Sequence, residues 1–427
     1  MAKKQLVCAL LWVSALVGPG PGPGPIIKHA YGYGGGAAAS DFVKADGTSF
    51  TVNGQLFYPN GFNAYWLMSK ASKPSEMDKV SRALRQASSH GMTVVRTWAF
   101  KDGGYRPLQS SPGVYNEDMF KGLDFVISEA KKYGLCLILS LVNNFNGKRQ
   151  YVEWAMQRGE NLTSEDDFYT NYLVKTFYKN HVKTILLRNN TKTGVVYKDD
   201  PSIMAWELMN EGRCTSDLSG LTMQAWIEEM AGYVKAIDRK HLLEVGLEGF
   251  FGGLDQNQEA IQYDSFASSR NVGSDFISNN QIHGIDFATI HLYPNLWIPH
   301  ADDATQLSFL RDWIHSHSKA ADEILRKPLL VTEFGKTSRF AGCNGVDKVA
   351  FYRTAYAVIY KLIRARSACA GGLFWQLLLP GMENLNDGYE IILSDCPSIA
   401  NIISRHSRLI SSLHSRHSLW GLTSTYR

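Results

Sequence analysis

From Leu56 onward, short runs rich in β-branched and aromatic residues alternate with longer stretches whose apolar positions recur every three to four residues. The runs predict strands beginning near Leu56, Thr93, Cys136, Ile203, Leu242, Phe287, Pro328 and Gly371. The longer stretches predict helices over Met77–His90, Asp118–Tyr133, Gln224–Arg239, Leu307–Arg326 and Lys348–Arg364. Successive strand starts lie 37, 43, 67, 39, 45, 41 and 43 residues apart, each enough for a strand, a helix and two loops. Eight such units with no break in composition predict an α/β chain folded as a single-domain (β/α)8 TIM barrel over residues 41–427. A doubly wound open sheet is the competing architecture. It wants a Gly-rich phosphate turn after the first strand, and Asn60-Gly-Phe-Asn63 is not one. The long 67-residue interval marks an added surface segment. A closing helix is expected over Ser398–His414, with Ile402, Ile403, His406, Leu409, Ile410 and Leu413 on its inner stripe and a solvated face of Arg and His opposite.

The first 40 residues follow a different pattern. Lys3 and Lys4 precede a mostly apolar run from Leu6 to Val17, too short to span a bilayer and laid out as a secretory signal. The Gly-Pro repeat from Gly18 to Pro25 and the segment Tyr31–Ala39 cannot bury a core, so residues 1–40 are expected to be signal and Gly/Pro/Ala-rich leader. No later stretch is apolar enough to span a bilayer, which predicts a chain free of the membrane once the signal is removed. Two sequons, Asn161-Leu-Thr163 and Asn189-Asn-Thr191, fit a secreted glycoprotein. Setting Cys8 aside leaves five cysteines, enough for at most two disulfides of unspecified pairing.

Composition narrows the partners. Forty-four Lys and Arg against 40 Asp and Glu leave a net charge of +4, too small to draw nucleic acid or an anionic membrane. Aromatics at 12% supply flat faces that suit packing and also suit the C–H faces of sugar rings. No Cys-x-x-Cys occurs, and His315 and His317 do not share a helix face, so no metal or cofactor is expected. No obligate protein partner is evident either.

In such a barrel, chemistry collects where strands end. The fourth strand closes on Trp206-Glu207-Leu208-Met209-Asn210-Glu211 and the seventh on Leu330-Val331-Thr332-Glu333-Phe334-Gly335. Glu211 and Glu333 are therefore expected to meet from opposite sides of one face, the pair that glycosidic cleavage needs. Strand parity also points Glu207 inward, but about 13 Å lower, which suits a buried structural contact. Arg96 lies inside the apolar second strand and requires a carboxylate partner. His291 and Tyr293 share one side of the sixth strand, and Trp98 and Trp375 stand at the ends of the second and eighth.

Taken together, Phe42-Val-Lys-Ala-Asp-Gly-Thr48, Asn60-Gly-Phe-Asn-Ala-Tyr-Trp66, Arg96-Thr-Trp-Ala-Phe100, Trp206-Glu-Leu-Met-Asn-Glu211, Thr289-Ile-His-Leu-Tyr-Pro294, Thr332-Glu-Phe-Gly335 and Phe374-Trp375 resemble plant endo-β-1,4-mannanases of glycoside hydrolase family 5. The likeness runs from about Phe42 to the closing helix. It implies a retaining enzyme of the plant cell wall acting on β-mannan polysaccharides, with Glu333 as nucleophile and Glu211 as acid/base. It implies that Asn210 bonds the substrate 2-hydroxyl, that Arg96 and Tyr293 hold Glu333, that His291 bonds nearby, and that Trp375 floors the −1 sugar. A neighbouring cation should then keep Glu333 acidic, and the charge on Glu333 should raise Glu211. Asn63, Trp98, Asn144, Trp154 and Trp297 are candidates for distant subsites. A β-1,4-glucanase, a mannan transglycosylase and a non-catalytic carbohydrate-binding barrel remain as alternatives.

Overall fold

The computed structural model describes residues 41–252, 272–337 and 345–421, with the side chains of the last helix described through Leu413. Residues 1–40, expected to be signal and leader, and Cys343 lie outside the described residues, and His414 lies outside the described side chains. Eight parallel strands form the core: Asn60–Asn63, Val94–Trp98, Cys136–Ser140, Ile203–Glu207, Leu242–Glu244, Ala288–Leu292, Leu329–Phe334 and Cys369–Phe374. Ladders join them in the spatial order fifth, fourth, third, second, first, eighth, seventh, sixth. Between the fifth and sixth strands the ladder gives way to single contacts: Asp286 N–H to Leu243 C=O at 2.8 Å and His291 N–H to Glu248 C=O at 2.9 Å. Together they close the TIM barrel.

Seven of the eight expected strands begin within two residues of the positions read from the pattern. The first does not. Gln55–Phe57 belongs to a small antiparallel sheet with Lys44–Asp46 and Ser49–Val52, and the barrel strand starts at Asn60. Pro59 lies between the two runs and supplies no N–H to a ladder, which separates them. The small sheet sends Phe50 and Phe57 against Val94, Met204, Leu242, Phe287, Leu330 and Ala370, residues at or near the starts of barrel strands. Phe50 meets Phe287 edge to face at 5.2 Å.

The expected helices are present as Met77–Ser89, Glu117–Lys132, Leu221–Ile237, Asp303–Ala320 and Gly345–Arg364. Asn116 caps the second by accepting from the amides of Asp118 and Met119, and Asp302 caps the fourth through Thr305. The long third interval holds two long helices, Gly147–Met156 and Tyr172–Leu186, one more than the repeat needs, and both sequon asparagines are exposed. The closing helix Pro397–Gly421 buries Ile403, His406 and Ile410 as its stripe requires, and burial drives the His406 pKa down to about 3. The four described cysteines, 136, 214, 369 and 396, are free thiols. Among the described residues, no helix is long and apolar enough to cross a membrane.

Candidate active site

Arg96 leaves the second strand into the barrel interior, where its side chain has no exposure. A buried guanidinium must find acceptors for five N–H groups, and here all five are used. Nε and Nη2 grip both oxygens of Glu207 at 2.5 and 2.7 Å. Nη1 donates to Glu333 Oε1 at 2.5 Å and to Asn63 Oδ1 at 3.0 Å, and Nη2 donates to Asn210 Oδ1 at 2.6 Å. Glu207 is thus in a buried structural contact, as its depth in the strand suggested, and Arg96 is its partner. Asn63, expected at a distant subsite, instead braces Arg96 and ties back to the Thr332 and Phe374 carbonyls.

Glu333 stands at the end of the seventh strand, 3% exposed, with its second oxygen accepting from the Tyr293 hydroxyl at 2.5 Å. Glu211 reaches the same place by another route. The fourth strand ends at Glu207, and Glu211 adopts a left-handed backbone (φ 53°), uncommon for a residue with a side chain. Its N–H bonds to the Gly246 carbonyl at 2.8 Å. Gly246 is itself left-handed, and a Cβ there would stand 1.9 Å from the Met209 carbonyl oxygen, so only glycine fits against this turn. Strand parity therefore does not explain where Glu211 points; the turn does. His291 Nδ1 lies 2.7 Å from Glu211 Oε1 and 3.5 Å from Glu333 Oε2. One donor atom from each of Glu211, His291 and Glu333 falls within 4.8 Å of the others. Asn210 spends Oδ1 on Arg96 and one amide N–H on Asn143 Oδ1 at 3.0 Å, which leaves one N–H for a ligand.

Burial sets the protonation of this cluster. It raises Glu211 above the ordinary carboxyl range, with Arg213 and Arg96 pulling it back. It raises Glu333 as well, opposed by His291, Arg96 and the Tyr293 hydrogen bond. The expectation that a cation alone keeps Glu333 acidic is thus corrected: desolvation outweighs it, and desolvation rather than the charge on Glu333 is the main cause at Glu211. The two still differ. Glu333 accepts from Arg96 and Tyr293, whereas Glu211 makes only the His291 contact, and the charge of Glu211 adds to the upward push on Glu333. Burial pushes His291 below the ordinary imidazole value, against the pull of the Glu333 charge. Burial would also raise Glu207, but the charge and hydrogen bonds of Arg96 bring it down to about 2.

An aromatic wall flanks the carboxylates. Trp375 stacks with Tyr65 at 5.8 Å and 9°, Tyr65 meets Trp98 at 4.9 Å, and Trp98 stacks on Phe100 at 4.8 Å. Trp375 is held by its indole N–H to Asp387 at 2.7 Å and is followed by a cis peptide to Gln376. Trp154 does not join the wall. It is buried in the core against Tyr151. Trp297 is half-buried, packs on Phe250, Phe309 and Trp313, and meets Tyr293 edge to face at 6.4 Å. Asn144 accepts from the Arg213 amide and, with Arg213, lines an open cavity of about 520 Å³ two residues beyond Glu211. Sequence reading missed Tyr65, Asn143, Arg213 and Glu248. Tyr65 was within reach, sitting between Asn63 and Trp66 at a strand end. The Arg213–Glu248 pair, two bonds of 2.7 Å, joins two loops that no spacing rule connects.

Two carboxylates and an imidazole at this spacing are donors that a cation accepts, but Arg96 already supplies positive charge to Glu333. The set suits acid–base and nucleophilic work on a neutral ligand.

A family model described as GH family 5 beta-mannosidase-like matches residues 40–382. The chain is 55% identical over 371 residues to mannan endo-1,4-beta-mannosidase 1 of Oryza sativa subsp. japonica, covering 86% of this chain and 85% of that one. It is 52% identical over 373 residues to mannan endo-1,4-beta-mannosidase 7 of Arabidopsis thaliana, covering 87% and 85%. Among solved structures it superposes on the endo-1,4-beta-mannanase of Rhizomucor miehei with a TM-score of 0.74 at 31% identity, covering 87% of this chain and all of the other.

Proposed function

The chain belongs to glycoside hydrolase family 5, with the plant endo-β-1,4-mannanases, and from that premise we propose that Glu333 and Glu211 hydrolyse internal β-1,4-mannosidic bonds with retention of configuration. The observation that carries this reading is the closeness of the two carboxylates: an oxygen of each lies within 4.8 Å of the other, which fits the about 5–5.5 Å separation of retaining enzymes better than the about 6.5–9.5 Å of inverting ones.

In the first step a Glu333 oxygen attacks the anomeric carbon while the glycosidic oxygen departs with the proton of Glu211, giving a covalent glycosyl-enzyme. In the tautomer with its proton on Nδ1, His291 donates to Glu211 Oε1, 2.7 Å away, which leaves Oε2 to carry that proton toward the leaving group. Arg96 and Tyr293 aim the Glu333 oxygens and stabilise their charge. Once Glu333 is esterified its charge is gone, and Glu211, now deprotonated, takes a proton from the water that releases the sugar. The free N–H of Asn210 meets the 2-hydroxyl, and Trp375 with Tyr65 and Trp98 offers the apolar faces on which sugar rings stack. The cavity beside Arg213, on the acid/base side, takes the departing part of the chain.

Secretion to the plant cell wall, glycosylation at Asn161 and Asn189, and action on galactomannan and glucomannan complete the proposal. The leader, the exposed sequons and the open cavity support them. Mannose differs from glucose in the axial 2-hydroxyl, so choice of substrate turns on bonds to one oxygen, and a missed bond at a site built for a hydroxyl costs heavily. The test is initial rates on mannan, galactomannan, glucomannan, xylan and cellulose, with product sizing. Rapid internal cleavage of the mannans is expected; faster cleavage of carboxymethyl cellulose than of galactomannan would remove the substrate assignment and leave the barrel glycosidase.

A further inference from the structure

Glu207 and Glu244 are register partners on the adjacent fourth and fifth strands, so their side chains leave the same side of the sheet next to each other. Neither has any exposure. As fully buried register neighbours, the two carboxyl groups lie beside each other in the barrel interior. Two ionised carboxylates side by side in such a site repel, so one of them holds a proton. The remaining partners decide which. Both oxygens of Glu207 are gripped by Arg96, and a guanidinium holds the ionised form. Glu244 has no cation in contact: Oε2 accepts from the Thr289 hydroxyl at 3.0 Å, and Oε1 finds no donor. A buried oxygen without a donor is what a carboxylic acid O–H leaves behind once its hydrogen is placed.

We propose that Glu244 is a positioning residue, held as a neutral carboxylic acid that donates to Glu207 and through it fixes Arg96 beneath Glu333. The proton keeps the charge count in balance. Arg96 and Glu207 cancel, and the rest of the guanidinium faces Glu333. An ionised Glu244 would add a second anion on the Glu207 side and draw Arg96 away from the nucleophile. The other ionisable groups around the pair include Tyr178 and Glu211, which feel the charge of Glu207, and His291 and Glu333 beyond Arg96. The kinetic part of the inference rests on Glu333 being the nucleophile; the proton on Glu244 does not.

Glu244→Gln keeps a neutral donor in the same place. It should retain kcat within about threefold of the parent and an unmoved acidic limb of kcat/KM against pH. Glu244→Leu removes the donor, leaves Thr289 and Glu207 short of a partner, and should lower kcat at least about tenfold with little change in KM. If Glu244 were ionised, Glu244→Gln would delete a negative charge near Glu333 and shift the acidic limb downward by about half a pH unit or more, which overturns the proposal. Infrared difference spectra of the parent against Glu244→Gln at pH 8 read the proton directly. One protonated-carboxyl band, shifted by deuterium, should be present in the parent and absent in the variant. Its absence from the parent refutes the proposal even where Glu244→Leu does not fold. A normal band with kinetics untouched in both variants rejects the positioning role and leaves the nucleophile assignment to stand on its own tests.

Discussion

Phe50 and Phe57 enter the N-terminal mouth of the barrel and close it with Val94, Met204, Leu242, Phe287 and Leu330, all nearly unexposed. The opposite mouth buries Arg96, Glu207, Glu244, Asn210, His291 and Glu333 just as deeply. The depth is equal and the chemistry is opposite. Apolar burial at the lower mouth stabilises in proportion to the area removed from water, and it tolerates no charge. Polar burial at the upper mouth sets the cost of desolvating several ions against their mutual attraction, and that balance contributes little net stability. What it gains is fixed geometry: five guanidinium N–H groups, each on a named oxygen. The lower mouth holds the barrel together and the upper mouth uses it.

Glu333→Ala should test the division most severely. Removing the nucleophile should lower kcat by about 10⁴-fold or more, with the fold intact by circular dichroism. Azide, small enough to occupy the vacated space, should restore part of the rate on a substrate with an activated leaving group and yield a glycosyl azide. Retained activity without azide would remove Glu333 from the reaction. Glu211→Ala comes next, at about 10²–10⁴-fold on polysaccharide and much less on an activated aryl mannoside, whose leaving group needs little protonation. Equal losses on both substrates would contradict its role as the acid.

At the other mouth, Phe50→Ala should cost about 3–5 kcal/mol of stability, since a fully buried ring is lost from an interface that cannot collapse around it. Chemical denaturation measures it. The catalytic constant of the folded fraction should not change, because no hydrogen bond links Phe50 to the carboxylate cluster. A changed kcat with unchanged stability would show that the two mouths are not separate.

The two mouths were not equally legible in the sequence. Period and spacing were enough for seven of the eight strands, because a fully buried parallel strand reads as a continuous apolar run wherever it lies. The first strand was misplaced because Leu56 and Phe62 carry the same apolar signal on both sides of Pro59, and only tertiary packing tells a plug from a stave. Glu211, Glu333, Arg96, His291 and Tyr293 were readable as polar residues at strand ends. Their partners were less so. Glu244 ends the fifth strand in an apolar run and looked like any other strand terminus, and its meaning depends on register with Glu207, which pattern does not supply. Trp154 shows the converse. Its side chain type suited a sugar platform, but a helical position facing Tyr151 put it in the core.

The smallest expected effect gives the sharpest contrast between the mouths. Burial raises Glu211, so the folded state binds its proton more tightly than the unfolded chain does. Such a group costs no stability below the ordinary carboxyl pKa, and stability falls as pH climbs from there through the raised folded value. Glu211→Gln keeps the shape and the contact to His291 but cannot ionise. At neutral pH it should therefore unfold at a higher temperature than the parent, by about 1 kcal/mol, the ordinary size of a gain from relieving a conflict kept for catalysis. As the pH is lowered toward and below the ordinary carboxyl range, the parent becomes protonated in both states and the gain should shrink to nothing. Thermal unfolding of the two proteins across that range, with no substrate present, measures the difference. A loss of stability at neutral pH, or a gain that does not depend on pH, would mean that ionised Glu211 is no burden to the fold and that the upper mouth contributes to stability as the lower one does.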